Sequence, residues 1–185
     1  MRLFRLITPD AFYGSVTEIE PDSLSRQGIR GLIIDLDNTL CPWDTEEIPP
    51  EVEDWIRRVT ESGIRICLVS NNRSRRAERM GKRLGIPALG GAMKPRRRGL
   101  RKAMALLGTG HRETAVIGDQ VFTDILAARR LGVGAILVRP QSRREFPGTR
   151  LARLLESLWL GHLHRQGRIT PSGGLHPDPA GERKR

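Results

Sequence analysis

Short apolar runs alternate along the chain with longer segments in which apolar residues recur at helical spacing. The runs cover 31–34, 64–69, 87–89, 114–117 and 135–138. Each has the length and aliphatic character of a strand buried on both faces. The segments between them cover 51–61, 73–84, 96–107 and 121–131, and a last one at 147–160 follows the final run. Val52, Trp55, Ile56 and Val59 form one helical stripe, Leu100, Ala103, Met104 and Leu107 a second, and Leu151, Leu154, Leu155 and Leu158 a third. All three are expected to face the core. Gly85, Gly108 and Gly132 stand where helices should stop. The alternation predicts an α/β fold with a mostly parallel sheet and helices on both faces.

This pattern sets the organisation. Residues 1–28 are expected to be a preamble, with short helical turns after Pro9 and Pro21, that packs on the core or on a membrane surface. Residues 29–160 carry the main domain. From 161 to 185 the chain is rich in Gly, Pro and charge and has no periodic apolar face, so it reads as a flexible basic tail. His162 and His164 in that tail lack the further ligands a metal site needs, and His111 reads as a surface turn residue.

Composition narrows the class. With 185 residues, 38% hydrophobic and 29% charged, the chain suits one globular domain. No apolar run approaches the roughly 20 residues that cross a bilayer. Cys41 and Cys67 give neither a disulfide framework nor a zinc site, and both read as reduced thiols in a cytoplasmic protein. The net charge of +11 favours polyanionic partners. Nucleic-acid signatures are missing, and 4% aromatics leave few stacking platforms, so no specific nucleic-acid partner is expected.

The candidate chemistry lies at strand ends. The first run breaks into Asp35-Leu36-Asp37-Asn38-Thr39. A buried strand has no structural need for two carboxylates at its end. Like charges so close oppose each other's ionisation unless a cation intervenes. The ordinary alternative is an acidic turn and helix cap. The second run ends in Ser70-Asn71-Asn72, short donors that could hold phosphoryl oxygens or cap the next helix. Lys94 precedes Pro95, which restricts its backbone. The fourth run ends in Gly118-Asp119-Gln120, with Asp124 one turn further on. Asp119 can serve as a metal ligand or as an N-cap, and Asp124 can orient Lys94 or a metal-bound water.

Taken in this order, the residues resemble the four motifs of the haloacid dehalogenase-like (HAD) phosphatase superfamily. Asp35 to Leu40 match the first motif, Ser70 the second, Lys94 the third, and Gly118-Asp119 with Asp124 the fourth. Thr8-Pro9-Asp10, residues 28–40, Trp43, Ser70-Asn71-Asn72, Lys94-Pro95 and Thr123-Asp124 further resemble the YqeG-type branch of subfamily IIIA, related to mitochondrial phosphatidylglycerophosphate phosphatases. The resemblance covers about residues 5–160. It implies a Rossmann-like HAD core and Mg2+ as cofactor. It implies Asp35 as nucleophile, Asp37 as acid and base, and Asp35, Asp119 and the Asp37 carbonyl as metal ligands. Ser70, Asn71 and Lys94 would bind phosphate, with Asn38, Thr39, Gly118 and Asp124 in support.

About 30 residues separate the first motif from Ser70, and 23 separate Ser70 from Lys94. Neither gap holds a large cap domain once a helix is counted. By analogy with uncapped members, an open site suits a bulky or surface-bound substrate. Phosphatidylglycerophosphate is the leading expectation. The apolar Leu3, Phe4, Leu6 and Ile7, interleaved with Arg2 and Arg5, could then rest on anionic lipid at the inner face of the membrane. A soluble phosphatase for a small metabolite or nucleic-acid phosphate is the enzymatic alternative. A basic scaffold or nucleic-acid-binding protein on the same fold is the non-catalytic one.

Overall fold

The computed structural model describes residues 2–43, 45–72, 75–142 and 150–167, with only the backbone described at residues 2, 3 and 150–154. Six strands form a single sheet: β1 (Ala11–Tyr13), β2 (Gly31–Ile34), β3 (Arg65–Val69), β4 (Ala88–Leu89), β5 (Thr114–Gly118) and β6 (Gly134–Val138). Their order is β1-β6-β5-β2-β3-β4, and every pairing is parallel. The helices are α1 (Arg2–Leu6), α2 (Pro21–Arg26), α3 (Pro50–Glu61), α4 (Arg76–Leu84), α5 (Arg97–Leu107), α6 (Leu126–Leu131) and α7 (Arg150–Arg165).

Alternation along the strands divides the core in two. Leu32, Ile34, Ile66, Leu68, Ala115 and Ile117 face α3 and α4, where Val52, Trp55, Ile56, Val59, Ala77 and Met80 meet them. Ile33, Cys67, Val69, Val116, Ala135 and Leu137 face α5 and α6 on the other side. Such two-sided burial is what makes the strands read as continuous apolar runs. Helix α3 shows why its segment folds as expected. Pro50 opens it, Glu51 and Glu53 suit the positive end of its dipole, and its four apolar residues are all buried. Trp55 is fully buried and donates its indole N–H to the Ile19 carbonyl at 2.8 Å. Gly85, Gly108 and Gly132 end α4, α5 and α6 in the left-handed conformation, as expected.

Three expectations need correction. The stretch after Pro9 forms strand β1 rather than a helical turn. Its neighbour Asp10 takes the Ala135 amide on its carboxylate at 2.8 Å, donates its own amide to the Ala135 carbonyl, and pairs with Arg129 at 2.8 Å. The preamble is therefore stitched to the sheet edge, with Val16, Ile19 and Leu24 buried in the core. Ile7 packs on the core too, whereas Phe4 is half exposed and stacks on Trp159 at 5.1 Å.

The last helix also differs. It runs to Arg165, past the point where a tail was expected, because Leu163 is buried. Its inward face carries Glu156 and Leu163, with Trp159 and Leu160 partly buried. Leu155 and Leu158 point outwards instead of inwards, and Leu158 is 63% exposed. The side chains of Leu151 and Leu154, and the rest of the tail at 168–185, lie outside the described residues.

Candidate active site

Asp35 leaves β2 at its carboxyl end, with its amide hydrogen-bonded to the Ile117 carbonyl of β5 at 2.9 Å. Asp119 follows β5 directly, and Ser70 follows β3. These three strands are adjacent, so their side chains converge on one crevice at the carboxyl edge of the sheet, where open parallel sheets bind ligands. Asp35, Ser70, Lys94, Asp119 and Asp124 are all buried.

One oxygen each from Asp35, Asp119 and Asp124 lies within 4.8 Å of the others. Lys94 Nζ stands 2.5 Å from Asp35 Oδ1 and 2.6 Å from Asp124 Oδ1, and donates to the Val69 carbonyl at 3.1 Å. Burial pushes the Asp35 carboxyl up to about 7. Lys94 pulls it down, and Asp124 and Asp37 add to the rise. Burial opposes the charge on Lys94, but Asp124 and Asp35 outweigh it and hold the ammonium above the usual lysine range. Three buried carboxylates thus converge beside this ammonium. Three converging carboxylates suit a divalent cation, and an all-oxygen donor set suits a hard one. The residues present fit a metal of the magnesium kind.

The loops are tied to one another. Asn71 spans the backbone of Lys94, accepting from its amide at 2.6 Å and donating to its carbonyl at 3.1 Å. The expected phosphate ligand Asn71 is thus placed as a clamp on the lysine loop. The Ser70 carbonyl accepts from the Ala92 amide and its hydroxyl accepts from the Asn72 amide. At Gly118 a Cβ would lie 2.3 Å from Asp124 Cγ, so only glycine lets that carboxylate pack against the strand end. Asp124 Oδ2 in turn accepts from the Gln120 amide at 3.1 Å, which fixes the π-helical turn Val121–Ile125 after β5. Thr39 Oγ1 reaches Asp119 Oδ1 at 3.5 Å.

Asp37 departs from the cluster. Its carboxylate accepts from Ser70 Oγ at 3.3 Å and pairs with Arg76 Nη1. The clustered carboxylates are accordingly Asp35, Asp119 and Asp124. Asn38 takes a positive φ of 59° and turns its side chain towards Trp43 and Ser142. Its carbonyl accepts from the Gln141 amide at 3.0 Å. Gln141 Nε2 donates to the Thr39 carbonyl at 3.0 Å.

Arg76, Gln141 and Ser142 escaped the reading of the sequence. Arg76 was hidden in a basic run, although it lies four residues before Met80 and so on the core-facing stripe of α4. Gln141 and Ser142 carry the general signal of polar residues just past a buried strand. His162 stacks on Trp159 at 5.6 Å, and among the described residues neither it nor His164 joins a metal-ligating cluster.

A comparison with known proteins agrees with this geometry. A family model described as haloacid dehalogenase-like hydrolase matches residues 42–132. The chain is 35% identical to "Probable phosphatase YqeG" of Bacillus subtilis over 167 residues, covering 90% of this chain and 97% of that one. The chain belongs to the haloacid dehalogenase-like hydrolases, in the YqeG-type branch. Within this family it is also 27% identical to "Phosphatidylglycerophosphate phosphatase 1, chloroplastic" of Chlamydomonas reinhardtii, covering 96% of this chain and 68% of that protein. The fold matches the cobalt-bound deoxy-D-mannose-octulosonate 8-phosphate phosphatase of Haemophilus influenzae with a TM-score of 0.50 and 20% identity, over 76% of this chain and 91% of that one.

Among the described residues the HAD core carries no large cap. Helix α3 and β3 fill the connection from Asp35 to Ser70, and α4 and β4 fill the one from Ser70 to Lys94. The chain is a phosphatase of this family, with a carboxylate cluster able to hold a metal ion. A non-catalytic scaffold would gain nothing from three acids buried around one lysine, and that alternative is set aside. No helix among the described residues is long and apolar enough to cross a membrane.

Proposed function

We propose that the chain is a magnesium-dependent phosphomonoesterase working through an aspartyl-phosphate at Asp35. The observation that carries this reading is the position of Asp35: at a strand end, against Lys94, within a cluster of buried acids. Asp35 attacks phosphorus and the bond from phosphorus to the leaving oxygen breaks, with Asp37 giving that oxygen its proton. Water then attacks the acyl phosphate, Asp37 takes a proton from it, and phosphate leaves as the Asp35 carboxylate is restored. Lys94 and Ser70 hold phosphoryl oxygens. Asp35, Asp119 and the Asp37 carbonyl would hold magnesium, with Asp124 in support. When bound, the ion supplies charge neutralisation between a carboxylate and a dianionic ester.

The substrate is a phosphate monoester at an open site. The broad reading is a soluble ester, which the YqeG relative's printed name leaves open. The narrower reading is phosphatidylglycerophosphate. It is supported by the names of relatives at 27% identity and by the lack of a large cap. On that reading the half-exposed Phe4 would face anionic lipid at the inner face of the membrane.

Phosphate release with Mg2+ from a panel of soluble esters, and from phosphatidylglycerophosphate in mixed micelles, separates the two. Asp35→Asn serves as the blank. Preference for the lipid by tenfold or more in kcat/KM supports the narrower reading, and equal or better turnover of a soluble ester removes it. No release from any ester that depends on Mg2+ and Asp35 would contradict both.

A further inference from the structure

Arg76 is 5% exposed on the inward stripe of α4, beside Ala77 and Met80. A guanidinium in such a place is costly unless its charge is matched and its donors are used. Here Nη1 pairs with Asp37 Oδ1, Nε donates to the Thr45 carbonyl at 2.8 Å, and Nη2 lies 3.3 Å from Cys41 Sγ. The three partners span the loop that follows β2. A planar fork that engages all three holds them in one fixed arrangement. Arg79 and Arg83, one and two turns further along α4, grip Glu46 in the same loop.

The second oxygen of Asp37 takes the Ser70 hydroxyl at 3.3 Å. The carboxylate is thus gripped from two sides, by α4 and by the end of β3. Its backbone sits in a tight turn, with the Asn38 amide bonded to the Cys41 carbonyl at 2.8 Å. That turn fixes the Asp37 main chain, whereas Arg76 and Ser70 fix the rotation of its side chain.

We propose that Arg76 is a positioning residue for proton transfer: from α4 it aims the Asp37 carboxyl at the leaving-group oxygen and later at the attacking water. This rests on the reading of Asp37 as acid and base given above. Arg76 does not itself touch substrate. Correctly aimed acid–base groups contribute about 10²–10⁴-fold, and a misplacement near 1 Å can cost about 10²-fold.

The test exploits the leaving group. An alkyl phosphate needs a proton on the departing oxygen, whereas p-nitrophenyl phosphate releases a stable anion without one. The wild type, Arg76→Met, Arg76→Lys and Asp37→Asn are compared on both esters with Mg2+. The ratio kcat/KM covers binding and the first phosphoryl transfer and leaves out hydrolysis of the acyl phosphate. Arg76→Met is expected to lose about 10–100-fold on the alkyl ester and no more than about threefold on the aryl ester. Arg76→Lys keeps the charge without the fork and should fall between. It carries the test if the methionine variant does not fold.

Equal losses on both esters overturn the proposal, since Arg76 would then only hold the fold together. So does the absence of any loss. Asp37→Asn keeps the two claims apart. If it shows no leaving-group selectivity, the reading of Asp37 fails. If it does and the Arg76 variants do not, only the role of Arg76 fails.

Discussion

Asp35 and Lys94 are 59 positions apart in the chain and meet at 2.5 Å in the buried crevice. Asp35 reaches the contact from the end of β2, Lys94 from the loop after β4, and Asp124 from the turn after β5. The lysine is thus a cation that makes a nest of acids tolerable, and in the proposed mechanism it is also the phosphate ligand.

That double role predicts the behaviour of Lys94→Ala. Removing one partner of a buried ion pair typically costs about 3–5 kcal/mol, because the remaining charge is left uncompensated. The variant should unfold at lower urea concentration in the absence of metal and recover part of the loss when Mg2+ is added. Its kcat should fall by about 10²–10³-fold through loss of a donor to the transferring group. Urea midpoints with and without Mg2+ check this. A midpoint equal to wild type without metal would contradict it.

Gly118 gives a sharper geometric case. A methyl group there would stand 2.3 Å from Asp124 Cγ, so Gly118→Ala must push that carboxylate away from Lys94. Overpacking of this kind costs about 1–3 kcal/mol. Displacing a residue that supports a metal shell should raise the Mg2+ concentration needed for half-maximal activity by about 10–100-fold. Metal titration of phosphate release reads this directly. An unchanged Mg2+ requirement would show that Asp124 does not support the cation.

Much of this was legible in the sequence, for a physical reason. Buried parallel strands must be apolar throughout, so Asp35, Ser70 and Asp119 stood out as polar residues ending apolar runs. The helical stripes of α3 and α5 were equally plain, because each buries a single face. What failed to show was pairing at a distance. Only its spacing to Met80 marks Arg76 as different from Arg75 until the partner Asp37 is placed beside it. The edge strand β1 is three residues long, too short for alternation to declare itself. On α7 two apolar stripes lie side by side, and the packing of Leu163 and Trp159 on the core decides which one turns inwards. Without that contact, spacing alone turns Leu155 and Leu158 inwards.

Cys67 tests the burial of the core through pH. Burial pushes its thiol up to about 12, from a usual value near 9. In the folded chain the thiol keeps its proton where the unfolded chain has lost it. The unfolded state therefore binds fewer protons between about pH 9 and 12, and stability falls as pH rises through that window. Below pH 9 the contribution is fully present. Urea midpoints across pH 8–11 should fall more steeply for wild type than for Cys67→Ala, in which this thiol is gone. Equal slopes would contradict the burial. Consistent with it, iodoacetamide should label Cys41 and Cys67 only after unfolding, because the thiolate is the nucleophile and both thiols are buried.

The central claim is that Asp35 carries the phosphoryl group in turnover. Rapid acid quench of the enzyme with Mg2+ and a 32P-labelled ester it turns over, followed by peptide mapping, tests it most directly. The account predicts a base-labile label on the peptide holding Asp35, present in wild type and missing from Asp35→Asn. Label on another residue, or turnover by Asp35→Asn at the wild-type rate, would contradict it.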